Sequence, residues 1–342
     1  MEVETAKKIL RVFLWTTVFF LIGVIPRSTA QDAHMTKLVE GAKKEGAVMW
    51  YTSMNIEDAK KMVDAFSKKY PFLRVDFFRA NSAKLLNRVL TETRAGRYLF
   101  DVLALSGFET HQVVKSGLLQ PYVSPESKVY PEMFKDPNGF WTDYFDSYAI
   151  IGYNTRLIPI GQAPKDWEQL LEPKWKGKLI MDFEDVRWYA TILDRWGRER
   201  SQKFMKALAR QEMSFRRGAN LIAQLVVAGE VPMGMVNAHT IERMKVAGAP
   251  VEWITTLDPI VVSLHPIGLS VKPLHPNAGK LLIDFVLSRE GQQVIVDVGR
   301  TSPRQGMDPR IDSRKLKLFP TRPALAESYQ QHEQEYKEIF GR

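Results

Sequence analysis

The chain contains 342 residues, of which 45% are hydrophobic and 25% are charged, and it carries a formal net charge of +9. This composition is that of a globular protein of about two domains, and it excludes a disordered chain, a collagen and a multi-span membrane protein. Because the sequence contains no cysteine, disulfides, thiolate metal sites and a cysteine nucleophile are excluded as well.

The positive charge does not indicate a nucleic-acid partner. Lysine and arginine are scattered along the chain and interleaved with acidic residues, and no run of five or more basic residues occurs. We therefore expect no nucleic acid, and the excess charge favours a solute of opposite sign.

The first thirty residues have the pattern of a secretory signal peptide. Basic residues precede an uncharged run over 12–25, and small residues occupy 28–30. The uncharged run is shorter than the roughly 20 apolar residues that a membrane-spanning helix needs. We predict export and cleavage after Ala30, with an uncleaved membrane anchor as the alternative.

Downstream of the signal, short apolar strands alternate with amphipathic helices. Strands are predicted at 48–51, 74–78 and 101–105. The helices between them carry apolar residues at spacings of three and four, and the first helix ends at Pro71. Asn81 supplies an N-cap for the second helix. This order predicts a parallel sheet with helices on both faces.

A second α/β unit follows, flanked by two longer extended stretches near 147–154 and 261–270. These stretches predict two strands that cross between two lobes, with a ligand cleft where the carboxyl ends of the parallel strands meet. The elements predicted for this part of the chain are strands at 178–181, 213–216, 232–236 and 251–255, helices at 188–197, 200–210 and 220–228, and a long helix or broken pair at 276–298.

The crossings divide the chain unequally. We predict that residues 31–146 and 266–342 form a discontinuous lobe 1 and that residues 147–265 form lobe 2. Residues 308–342 are rich in charge and glutamine, and we expect a terminal helix on lobe 1 with no assigned function.

Several short segments together resemble the extracellular solute-binding proteins of bacterial ABC importers, nearest the branch of periplasmic ferric-ion-binding proteins. The resemblance covers roughly residues 36–307 and rests on the order and spacing of the segments, none of which is specific alone. They are Leu38-Val39-Glu40-Gly41, Val48-Met49-Trp50-Tyr51-Thr52-Ser53, Asp101-Val102-Leu103, Gly117-Leu118-Leu119, Gly152-Tyr153-Asn154-Thr155, Trp175-Lys176-Gly177-Lys178, Ala228-Gly229-Glu230-Val231-Pro232 and Ser288-Arg289-Glu290-Gly291-Gln292.

The resemblance implies an α/β protein with the two-lobed type II periplasmic-binding-protein fold, two hinge-crossing strands and a ligand cleft between the lobes. It also implies a periplasmic, monomeric receptor that delivers a small-molecule solute to an inner-membrane ABC permease, without cofactor or catalysis. The rival class, a periplasmic hydrolase, finds no support because the nucleophile-elbow, P-loop and dinucleotide-binding motifs are absent from the sequence.

The sequence departs from the iron-binding relatives at their metal ligands. Asn55 stands where those proteins carry a histidine, and His239-Thr240 stands where they carry two adjacent tyrosines. Ferric ion prefers hard anionic oxygen such as phenolate, so we predict no metal site of that kind. Two alternatives stay open: a ferric-ion or other metal receptor that uses a synergistic anion, and a periplasmic sensor subunit.

We predict instead that a small organic anion fills the cleft directly. Helix N-termini and arginine both favour anions, and in the iron-binding relatives asparagines hold a small anion in the second lobe. Helix capping is the alternative role of the serines and Asn55, and core packing is that of Trp188 and Tyr189. The candidate ligand-binding residues are Ser53, Asn55, Ser82, Ser106, Trp188, Tyr189, Arg217, Asn220, Asn237 and His239.

Overall fold

A computed structural model describes residues 29–341, so the signal-peptide prediction lies outside the described residues except for its last two positions. Those two positions begin the first helix, α1 (Thr29–Glu45). Among the described residues, no helix combines the length and the hydropathy needed to cross a bilayer.

The first α/β unit follows the predicted alternation. Strand β1 pairs in parallel with β2 and β3, and asparagine side chains cap the two helices that connect them. The elements are β1 (Ala47–Thr52), α2 (Ile56–Lys69), β2 (Arg74–Arg79), α3 (Ser82–Arg94), β3 (Val102–Ala104), α4 (Gly107–Lys115) and β4 (Leu119–Gln120).

The second unit contains one helix that the sequence pattern did not predict, α8 (Ala238–Val246), which begins directly where its strand ends. The other elements are β5 (Thr142–Asn154), β6 (Leu179–Asp182), α5 (Val186–Trp196), α6 (Arg198–Ala209), β7 (Ser214–Arg216), α7 (Ala219–Ala228), β8 (Met233–Asn237), β9 (Val251–Trp253) and β10 (Ile260–Ser270).

The stretch predicted at 276–298 is a broken pair of helices. Ser288 ends the first helix and caps the second, accepting a hydrogen bond from the Gly291 N–H at 3.2 Å. The remaining elements are α9 (Pro276–Leu287), α10 (Arg289–Asp297), β11 (Leu318–Pro320) and α11 (Tyr329–Phe340).

The two predicted crossings are confirmed as the long strands β5 and β10, which pair antiparallel in the middle of the sheet. The strand order is β2-β1-β3-β10-β5-β8-β6-β7, so parallel strands of the first unit lie on one side and those of the second on the other. Separate hydrophobic clusters accompany the two sides: Trp50 and Phe66 belong to one, whereas Ile180 and Ile222 belong to another.

The last helix corrects one sequence prediction. The helix α11 packs on α5 and α6, in the predicted lobe 2 and not on lobe 1. The fully buried Tyr336 donates its O–H to the Asp182 carbonyl at 2.9 Å, and the rings of Phe340 and Phe215 lie 5.8 Å apart. The aromatic face of this helix fits a surface of lobe 2, a pairing that the local pattern of the helix does not specify.

Tyr336 is therefore expected to stabilise the fold of lobe 2. The change Tyr336→Ala should lower the free energy of unfolding by about 3–5 kcal/mol because it leaves a large cavity, and Tyr336→Phe should lower it by about 1 kcal/mol because it removes one hydrogen bond. Urea denaturation measures both. Lys337→Ala, which removes an exposed pair with Glu333, serves as the near-neutral control, and equal stability of Tyr336→Ala and the unaltered protein would contradict the packing.

Candidate functional site

The floor of the candidate cleft is one face of the crossing strands. Phe145 lies opposite His265 and Ser147 lies opposite Ser263 in the antiparallel register. Because side chains alternate along a strand, these four share a face. His265, Ser147 and Ser263 are half-buried, whereas the residues that alternate with them are buried. This face is thus the part of the central strand pair that a solute can reach.

An arginine reaches this floor from lobe 1. The Arg300 guanidinium lies 5.2 Å from the centre of the Phe145 ring, and Phe145 stacks on His265 at 4.0 Å. The Nε of Arg300 also donates to Asp58 at 3.0 Å, and Asp58 accepts the Asn55 side-chain amide at 2.8 Å. A continuous path of contacts thus joins the candidate Asn55 to the floor.

A second arginine approaches from lobe 2. Arg187, in the first turn of α5, lies 3.5 Å from the carboxylate of Glu109 on α4, so this ion pair spans the two lobes. The Ser106 hydroxyl donates to Glu109, and its N–H donates to the Ser82 hydroxyl at 3.1 Å. The structure therefore brings the candidates Ser82 and Ser106 together on the lobe 1 side, facing Arg187.

Two uncharged imidazoles lie near these arginines. His239, at the start of α8, is 6% exposed. Burial, followed by the charge of Arg300, lowers the pKa of His239 to about 3. Burial, followed by the charges of Arg300 and Arg187, also lowers the pKa of His265 to about 3. Among the described residues, the Nδ1 atoms of both rings lack a hydrogen-bond partner, and a neutral imidazole can donate through one nitrogen and accept through the other.

The two candidate asparagines of lobe 2 lie at different distances from the floor. Asn237 pairs with Ala149 of β5 in the sheet register, and its side chain makes no capping bond to α8 although it holds the N-cap position. Asn220 is exposed, and its side chain accepts a weak bond from the Thr240 hydroxyl at 3.5 Å. Asn237 is therefore placed beside the floor, and Asn220 is further out.

The anion site predicted around Arg217 already has partners within the chain. Arg217 is exposed and forms an ion pair with Glu184 at 2.5 Å. The Gly218 N–H, at the start of α7, donates to the Asp182 carboxylate at 2.7 Å. Asp182 thus takes one N–H at this helix start, and the exposed Arg217 is directed to Glu184 instead of the floor.

Three other candidates make contacts of a structural kind. Trp188 is buried against Trp167, with ring centres 5.3 Å apart. Tyr189 is buried beneath α11 and donates its O–H to Glu335 at 2.9 Å. These two rings therefore pack in the interior, as in the alternative reading, and do not line the cleft. Ser53 is half-buried at the end of β1, where its N–H donates to Ala104 at 2.9 Å.

The sequence did not nominate Arg187, Arg300 and His265. Arg187 carried a signal, because it lies in the first turn of a helix whose start was expected to favour an anion. Arg300 follows the helix α10, and His265 lies within the strand β10. Only the folded topology brings these two residues together. Within residues 29–341, no group of three or more His, Asp or Glu side chains is placed to hold a metal ion.

The buried His239 should make folding stability sensitive to acid. The unfolded chain takes up this proton near pH 6.5 whereas the folded protein resists it to about pH 3, so stability is full above pH 6.5 and is lost as the pH falls. Between pH 7 and pH 5 the histidine should account for a loss of about 2 kcal/mol. Urea unfolding at pH 7 and pH 5 measures this loss. In His239→Gln, the free energy of unfolding should fall by about 2 kcal/mol less between the two pH values than in the unaltered protein. An equal fall in both proteins would contradict the burial of a neutral ring.

Comparisons with known proteins agree with this architecture. The family model for bacterial extracellular solute-binding proteins matches residues 100–325. A Haemophilus influenzae protein described as uncharacterized is 26% identical over 311 residues, covering 85% of this chain and 89% of that protein.

Solved structures show the same fold. Iron-bound HitA from Pseudomonas aeruginosa superposes with a TM-score of 0.73 at 19% identity, covering 85% of this chain and 99% of its own. AfuA from Actinobacillus pleuropneumoniae, bound to fructose-6-phosphate, superposes with a TM-score of 0.69 at 22% identity, covering 86% and 99%.

These similarities confirm the two-lobed type II fold. The family consists of solute-binding proteins, and it implies a periplasmic location, a small-molecule solute and an ABC permease as the partner. The chain therefore belongs to the family of bacterial extracellular solute-binding proteins.

Proposed function

We propose that this protein captures a small organic anion in the cleft between its lobes and delivers it to an inner-membrane ABC permease. The observation that supports an anion is the positive potential at the floor. The Arg300 guanidinium lies 5.2 Å from the centre of the Phe145 ring at this floor. After burial, the charges of Arg300, Arg243 and Arg310 also lower the pKa of His239. The same potential favours a carboxylate, sulfonate or phosphate group that arrives from solution.

The geometry offers such a group several donors. Arg300 presents a planar guanidinium suited to a two-oxygen acceptor, and the neutral rings of His239 and His265 can each donate one N–H. Arg300 already contacts Asp58, and Arg187 already contacts Glu109, so both cations are held in position before a solute arrives. We infer that the solute's anionic group lies between these two arginines.

Closure follows from the same arrangement. Arg300 and Asn55 belong to the predicted lobe 1, whereas Arg187, His239 and Asn237 belong to lobe 2. A solute that touches both lobes binds the closed form more tightly than the open form and so shifts the population towards it. No covalent chemistry is needed for this cycle.

An iron cargo has less support at this site. One similar structure is bound to iron and another to fructose-6-phosphate. In this chain, Asn55 and His239-Thr240 supply no phenolate, and ferric ion prefers anionic oxygen ligands. An organic anion, including a phosphorylated one, matches the donors that are present.

The location can be tested on the exported protein. We propose that the mature chain begins at Gln31, because small residues precede this position in the signal-like segment. We also propose that the mature chain is a monomer. Intact-mass spectrometry of protein isolated from the periplasm should give the mass of residues 31–342. A mass that includes the first thirty residues would support the membrane-anchor alternative.

The solute class can be tested by a thermal-shift screen. Carboxylates, sulfonates, phosphonates and sugar phosphates should include compounds that raise the melting temperature by mass action. For a binder, Arg300→Ala should weaken the affinity by about 2–3 kcal/mol, the cost of losing a bond to a charged group. Asn237→Ala should weaken it by about 1 kcal/mol. Calorimetry measures both.

The control for this test is Arg216→Ala. Arg216 is an exposed arginine whose guanidinium bonds only to the adjacent Phe215 carbonyl among the described residues. Its removal makes the same change of charge at a distance from the floor. A screen in which only ferric ion, or only cationic and neutral solutes, stabilises the protein would contradict the proposal, as would unchanged affinity in Arg300→Ala.

A further inference from the structure

The end of the chain touches both lobes. We call residues 318–340 the strap. It begins on lobe 2, where β11 pairs in parallel with β10. The hydroxyls of Thr321 and Thr191 lie 2.8 Å apart, and Arg322 pairs with Asp194 of α5. These contacts fix the first part of the strap to lobe 2.

The middle of the strap reaches lobe 1. The carboxylate of Glu327 accepts from Lys115 at 2.9 Å and lies 2.9 Å from the His111 ring nitrogen. The ring of Tyr329 meets Phe108 edge to face at 5.9 Å. Lys115, His111 and Phe108 all belong to α4, the helix that follows β3.

The strap then returns to lobe 2 through α11. Tyr336 donates to the Asp182 carbonyl, and Glu335 pairs with Arg198 at 2.8 Å. The strap is thus held by lobe 2 at both ends and by lobe 1 in between. The Arg187–Glu109 pair lies at the same place, with the Arg187 guanidinium 5.1 Å from the Phe108 ring.

We propose that residues 321–329 act as a latch between the lobes, and that the latch favours the closed arrangement before any solute binds. This inference rests on the proposed division into lobes, but not on the identity of the solute. When the hinge opens, α4 moves away from α5, so the contacts of Glu327 and Tyr329 with α4 must break.

The two sides of the latch differ in strength. On lobe 2, the latch is held by the buried Thr321, and the strap that continues from it is held by the buried Tyr336. The lobe 1 contacts of the latch are the packing of Pro323 beside Gly107, one ring contact, and the ion pairs of Glu327 with Lys115 and the half-buried His111. Such ion pairs contribute little individually. The strap therefore stays on lobe 2 as the cleft opens, and the weak side sets the closed fraction without preventing release.

The distance between the lobes tests the latch directly. Because the chain has no cysteine, spin labels can be attached to cysteines introduced at Lys84 on α3 and Leu221 on α7, both exposed residues at the starts of helices that belong to opposite lobes. Pulsed electron paramagnetic resonance then measures the distance distribution in the absence of any solute.

Charge reversal separates pairing from misfolding. Glu327→Lys and Lys115→Glu should each increase the long-distance population roughly two- to five-fold, the range expected for one exposed pair. The double reversal, Lys115→Glu with Glu327→Lys, should move the distribution back towards the original because it rebuilds the Lys115 pair with exchanged signs. The contact of Glu327 with His111 stays lost in this variant. Tyr329→Ala, which removes the ring contact, should shift the distribution in the same direction as the single reversals.

The matched control is Glu333→Lys, which breaks an exposed ion pair with Lys337 inside α11 at a site that does not touch α4. It should leave the distribution unchanged. The latch is overturned if the single reversals match this control, or if the double reversal gives a long-distance population as large as that of the single reversals. A long-distance population that already dominates the unaltered protein would overturn it too. None of these outcomes depends on whether the solute is an anion.

Discussion

The antiparallel pairing of β5 with β10 is the constraint on which the rest of the molecule depends. Each strand belongs to both halves of the sheet, so the parallel strands of the two units extend from opposite sides of one central pair. Their hydrogen bonds hold the lobes together, while the two hydrophobic clusters remain separate. Two separately packed halves joined by a hydrogen-bonded pair of strands can move relative to each other without unfolding.

The same pair of strands determines the chemistry of the cleft. One face of β5 and β10 presents Phe145, Ser147, Ser263 and His265 to the space between the lobes. Arg300 packs on Phe145. Burial, followed by the charges of the arginines, lowers the pKa of the neighbouring imidazoles. The floor is therefore rich in donors, and it carries its charge on guanidinium groups that do not titrate in the physiological range.

Much of the fold could be predicted from the sequence because its helices and strands follow from local patterns of apolar and capping residues. The helical spacing and the caps at Asn55 and Asn81 indicated the first unit, and the two long extended stretches indicated the crossing strands β5 and β10. The helix α8 and the docking of α11 were not predictable, because the first lacks a long apolar stripe and the second depends on a surface 150 residues away in sequence, as the Tyr336–Asp182 contact shows. Tertiary context decided both.

The candidate site was predictable only where strand ends and helix starts carry polar residues. Asn55, Ser82 and Ser106 were nominated in this way, and His239 was nominated by its place opposite the tyrosine pair of the iron-binding relatives. Each lies near an arginine or its carboxylate partner. Arg217 and its neighbours carried the same local signal, but the fold supplies them with internal carboxylates. A sequence shows which groups can bind an anion, and it does not show whether the chain already provides one.

That last point bears on specificity through Asp182, whose carboxylate occupies the start of α7. Because the Asp182 carboxylate is part of the chain, it loses little translational freedom when it binds this N–H. It therefore competes with free anions as if it were present at a very high local concentration. For the anionic solute proposed above, the Gly218 N–H at this helix start is therefore already occupied. Under the proposed function, Asp182 thus limits which anions can bind, without contacting the solute itself.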